Sequence, residues 1–115
     1  MSEAEVHTQE VARVRDLIAE VRQAVEVETA SETVALGRWG SFSADWNKRR
    51  MAWVDEIGRA CVVRSRQHRQ VHLAAARLFP AWQAIHYTLT RGKPADLSKL
   101  DAVEAMVDNA AASGE

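Results

Sequence analysis

Apolar residues recur at helical spacing along three stretches of the chain, and no stretch sustains the alternation of a strand. Val11, Val14, Ile18, Val21 and Val25 step by three and four, marking one face of a helix. Arg13, Arg15, Asp16, Glu20 and Arg22 fall off that stripe. The pattern fades after Val25, and Thr29-x-x-Glu32 fits a capping box. The first segment therefore predicts helix over about 4–36, with a break near residue 29.

The middle stretch opens with Ser43 as an N-cap and Asp45 in the first turn, where the helix dipole favours an acid. From there Ile57, Cys61, Arg64, His68, Val71, Ala75, Leu78, Trp82, Ile85 and Leu89 alternate in steps of four and three. This is a heptad seam. Trp46 and Trp53 extend it at seven-residue spacing, and Trp39 lies one heptad earlier. The reading is one helix over 43–91, kinked near Pro80 because proline removes a ladder hydrogen bond. The last stretch places Leu97, Leu100, Val103 and Val107 on one face behind Asp96 as N-cap, predicting helix over 96–112.

Glycine and proline gather at 37–40 and 92–94, the natural joints between these stretches. The expected architecture is all-α and a single domain over 1–115. A long antiparallel helical hairpin turns at Trp39-Gly40, and a shorter third helix folds back on it.

Composition narrows the function classes. A chain of 115 residues is the size of one domain, and 47% hydrophobic with 27% charged residues is ordinary for a folded one. The lone Cys61 allows no intrachain disulfide and no Cys-rich zinc module. No apolar run approaches the ~20 residues of a membrane span. The acidic start, with Glu3 and Glu5, is unlike a secretory or transit segment. The expectation is a cytoplasmic protein without a membrane role. No Gly-rich phosphate loop, nucleophile elbow or metalloprotease motif occurs. No nucleophile–base pair or paired catalytic carboxylates can be assembled, so neither an enzyme, a cofactor nor a small-molecule substrate is expected.

The formal net charge of -1 conceals a partition. Residues 1–36 carry -5, residues 37–94 carry +8 and residues 95–115 carry -4. Between Gly58 and Ala95 there is no acid, while Arg59, Arg64, Arg66, Arg69, Arg77, Arg91 and Lys93 supply cations. Either the acidic outer helices cover this basic stretch, or it meets an acidic partner or a phosphate backbone. Lys48, Arg49 and Arg50 form a second basic run.

The interaction residues expected from these patterns are Trp39, Trp46, Trp53, Arg64, Arg66, His68 and Arg69. Tryptophan and arginine are enriched at interface hot spots. Polar Arg64 and His68 in an apolar seam are the kind of residue that fixes register or oligomeric state. His68 and His72 have the i, i+4 spacing of a helical metal pair, but no acid lies nearby, and no metal is expected. The sequence thus reads as a non-catalytic helical protein–protein interaction module. It self-associates, as a homodimer, through the seam and uses its basic central helix for specificity. The alternative is a small nucleic-acid-binding or regulatory protein using the Arg-rich stretch 59–69.

Overall fold

The backbone of a computed structural model is described for residues 3–30, 37–60 and 66–113, and the side chains for all of these except 3, 57–60, 66–68 and 113. Four helices make up the fold: α1 (Glu3–Thr29), α2 (Gly37–Ala60), α3 (Arg66–Leu89) and α4 (Ser98–Ser113). No strand occurs among the described residues. The all-α expectation holds. The hairpin with a shorter third helix does not, because the described chain has four helices.

The difference lies in the middle stretch. In place of one helix over 43–91, α2 and α3 lie side by side and antiparallel. Trp39 meets His86, Ser43 meets Trp82, and Arg50 meets Phe79. A continuous helix of that length would extend about 70 Å, whereas the longest dimension of the fold is 48 Å. Reversal has a clear physical motive. On one rod, Trp46 and Trp53 would share a face with Val71, Leu78 and Ile85, and all would need cover from elsewhere. Folded back, the two halves cover each other. The sequence between the helices, with Gly58 before it and β-branched Val62 and Val63 within it, is poor in helix formers. Pro80 sits inside α3 without ending it. Both Pro80 and Ala76, whose carbonyl loses its donor, are exposed, so water can take that acceptor.

The first joint also differs. Gly37 and Gly40 belong to the first turn of α2 instead of a hairpin turn, and Ser43 lies buried within the helix. Asp45 pairs with Arg49 one turn on, at 2.8 Å. At the other end, α1 finishes at Thr29, whose hydroxyl donates back to the Val25 carbonyl. The expected continuation to Leu36 lies outside the described residues.

The second joint is as the sequence suggests. Gly92 has φ +70°, the left-handed conformation that L side chains resist. Its N–H donates to the Leu89 carbonyl, and the Lys93 N–H donates to the Thr88 carbonyl. This pair of bonds is a Schellman cap that satisfies the last carbonyls of α3. Asp96 then accepts from both the backbone N–H and the hydroxyl of Ser98, the first residue of α4.

Each helix runs antiparallel to the next, and α4 returns against α1. Contacts join α1 and α3 to every other helix, whereas among the described residues the backbones of α2 and α4 do not come close. The core therefore lies along the α1–α3 diagonal. Val11, Val14, Ile18, Val21 and Val25 are all buried, as their spacing predicts, together with Leu17. From α3 come Val71, Ala75, Leu78, Ile85 and Leu89, and from α4 Leu100, Val103 and Val107. Each of the Val, Leu and Ile side chains contributes about 1.5–3 kcal/mol by leaving water.

Candidate interaction face

The three expected tryptophans are core residues. Trp39 is only 1% exposed, and Trp46 and Trp53 are also buried. The indole N–H groups of Trp39 and Trp46 are accounted for by helix pairing. The Trp39 indole donates to Nδ1 of His86 at 2.9 Å, and the Trp46 indole donates to the Leu17 carbonyl at 3.1 Å. Trp53 lies under the guanidinium of Arg13. An aromatic row follows the α2–α3 boundary. Trp82 stacks on His86 at 4.9 Å and on Phe79 at 5.7 Å, while its indole donates to the Ser43 hydroxyl. None of these buried rings is available for docking.

Arg64 lies outside the described residues, as do the side chains of Arg66 and His68. Arg69 is described, and it is exposed on α3. The His68/His72 pair is therefore described only at His72, whose Nδ1 is buried without a partner. No group of three His, Cys, Asp or Glu able to hold a metal occurs among the described residues. No described helix is long and apolar enough to cross a membrane.

Ion pairing explains where the acids of the outer segments go. Arg15 binds Asp108 at 3.0 Å, and Arg22 bridges Asp101 and Glu104 at 2.7 and 2.8 Å, so α1 is tied to α4. The hydrogen bonds that Arg22 donates to Asp101 and Glu104 raise its pKa above the ordinary value. Arg49 pairs with Glu20 and Asp45, and Arg38 reaches buried Glu28 at 3.8 Å, so α1 is tied to α2. The described cations of α3 take no part. Arg69 and Arg77, with Arg91 and Lys93 just beyond the helix, have no ion pair among the described residues. Arg77 donates weakly to the Met106 sulfur, and Arg91 lies 3.5 Å above the Tyr87 ring. Acids of α4 pair with arginines of α1, acids of α1 pair with arginines of α2, and none of these pairs reaches the described cations of α3.

The open side of α3 has its own periodicity. Arg69, Leu73, Ala76, Pro80, Gln83 and Tyr87 step by four and three, and every one is exposed. Leu73 is 47% and Tyr87 56% exposed, high values for large side chains on a helix whose other face is fully packed. Phe79, 37% exposed, borders the stripe toward α2, and Arg77 borders it toward α4. This second seam is absent from the sequence reading, which followed only the inner one. The signal for it was present in the same spacing rule applied to Leu73 and Tyr87.

Arg50 stands at the α2 edge of this face. It is 8% exposed and has no carboxylate partner. Its guanidinium lies 5.0 Å above Phe79, and its Nε makes a long bond of 3.4 Å to Asn47. Desolvation pushes its pKa below the ordinary arginine value. Comparison with known protein families, with curated proteins and with solved structures finds no match to the chain.

Proposed function

We propose that the protein is a non-catalytic helical interaction module that docks an acidic partner protein on the outer face of α3. The observation that carries this reading is the exposed seam from Arg69 to Tyr87, apolar along its centre and flanked by cations without acids. An amphipathic helix with apolar residues at matching spacing covers Leu73, Ala76, Pro80 and Tyr87, and its flanking carboxylates meet Arg69, Arg77 and Arg91. Self-association through the inner seam loses its basis, because Val71, Leu78 and Ile85 are packed within the fold. A two-fold contact between two α3 faces sets cations against cations, which disfavours a homodimer there.

The same unpaired cations support a second reading, binding to a nucleic-acid backbone. The apolar centre of the stripe weighs against it, since phosphate contacts need no leucine or proline. Titration with a synthetic acidic amphipathic helix tests the proposal. Binding that Leu73→Asp and Tyr87→Asp abolish supports it. Salt-sensitive binding to short duplex DNA that survives Leu73→Asp overturns it in favour of nucleic acid. A concentration-dependent dimer that Leu73→Asp dissolves overturns it in favour of a second copy of the chain.

A further inference from the structure

We infer that Arg50 is the anchor of this face, a preorganised guanidinium that receives a carboxylate from the docked acidic segment. The inference rests on the docking reading above and adds to it the residue that fixes register. Arg50 is more than nine-tenths buried, yet its two terminal nitrogens have no hydrogen-bond partner. They are not sealed from solvent either, since among the described residues the fully enclosed, unpartnered polar side-chain atoms are on His7, Gln70 and His72. The guanidinium is therefore held by its face over Phe79 and by its Nε beside Asn47, with its terminal nitrogens left open.

That arrangement is unusual for a residue with a purely structural task. A desolvated cation without a carboxylate is costly, and an apolar side chain of similar length fills the same space without that cost. The chain has acids to offer nearby in sequence, but Asp45 is committed to Arg49, and Arg49 also takes Glu20. Among the described residues, compensation at Arg50 comes from the ring face of Phe79 and one weak amide contact, and its terminal nitrogens are left to solvent. A carboxylate arriving from a partner completes the pair. Its two oxygens match the planar fork, and the partly desolvated setting strengthens the bond. Rigid holding by Phe79 lowers the ordering cost on binding.

The position suits this task. Phe79 touches Arg50 on one side and adjoins Pro80 of the exposed stripe on the other. A helix seated on Leu73, Pro80 and Tyr87 thus has Arg50 along its edge. Neighbouring Met51 is 54% exposed and extends the apolar surface on the α2 side. The committed occupant is a protein segment carrying Asp or Glu at that edge.

The test uses the full chain and three probes at low ionic strength. One is a synthetic helix with leucine at a and d positions and glutamate at e and g. The second replaces glutamate with glutamine, and the third is short duplex DNA. The glutamate helix should bind, and the glutamine helix should bind about tenfold or more weaker. Arg50→Met should weaken the glutamate helix by about tenfold while leaving the glutamine helix unchanged. The melting temperature of Arg50→Met should equal or exceed that of the parent. Should that variant fail to fold, Arg50→Lys carries the test, since it keeps the charge and loses the fork; a weakening selective for the glutamate helix is expected there too. If Leu73→Asp abolishes binding while both Arg50 variants bind like the parent, the anchor is overturned and the docking face stands. If Leu73→Asp has no effect on the glutamate helix, or DNA binds in its place, both fall together.

Discussion

The indole N–H of Trp39 meets Nδ1 of His86 across the α2–α3 boundary at 2.9 Å, joining the first turn of one helix to the last turn of the other. Because Nδ1 accepts, the ring proton of His86 sits on Nε2. Trp39 is almost without solvent, so its N–H has no water to fall back on. Replacing His86 with Leu should cost about 1–3 kcal/mol, chiefly from the stranded donor. Trp39→Phe removes the donor with it, and the double variant should lose less than the sum. A double-mutant cycle in urea reads the coupling directly, and strict additivity would show that the bond contributes nothing.

The two faces of α3 predict opposite responses from leucines five residues apart. Leu78 is completely buried, and Leu78→Ala should cost about 2–5 kcal/mol. Leu73→Ala should stay within about 0.5 kcal/mol, because it faces solvent. Equal losses at the two positions would mean that the helix is rotated from the orientation described. Denaturant midpoints of the two variants decide it.

Charge removal should separate α1 from α3 in the same way. Arg22 holds two carboxylates of α4, but the partners are largely exposed and screened. Arg22→Met should therefore cost about 0.5–1 kcal/mol at low salt and less at high salt. Arg77→Met, which breaks no ion pair, should be close to neutral at either salt concentration. A salt-dependent loss at Arg77 would reveal an acid of another helix beside it that the fold does not place there.

Acid should weaken the start of α4. The hydroxyl and backbone N–H of Ser98 hold the Asp96 carboxyl below its ordinary pKa. A lowered folded pKa means stability that is complete above the unfolded carboxylate range and lost as the pH falls through the folded value. The melting temperature of Asp96→Ala should accordingly lie below the parent at neutral pH, and the gap should close as the solution becomes strongly acidic. A gap that is constant with pH would refute the role of the charged form.

Much of this was legible in the sequence because spacing reports which face a helix buries. The stripes of α1 and α4, the inner seam of α3 and the glycine joint at Gly92 all follow from it. Spacing does not report where a chain reverses. Trp46 and Trp53 stand eleven and four residues before Ile57, close to whole helical turns, so a count of helical spacing runs on through the reversal. Trp39 was hidden by its glycine neighbours, which resemble a turn yet stand in the first turn of a helix. Of the candidate site, Arg69 could be anticipated from charge alone. The exposed stripe was obscured because Pro80 reads as a breaker. Arg50 sat in a Lys-Arg-Arg run that looks uniformly solvated, and only the packing of α2 on α3 separates buried Arg50 from Arg49, which pairs with Glu20 and Asp45.

The pairing of α1 with α4 has a further consequence in motion. With opposite charges matched between α1 and α4 and the described cations of α3 outside every ion pair, a chain of formal net charge -1 still carries its charge unevenly. Such a molecule rotates in the field of a charged neighbour before contact, presenting α3 first. Its encounter rate with an acidic surface is then set by orientation as well as by diffusion, and rises as ionic strength falls.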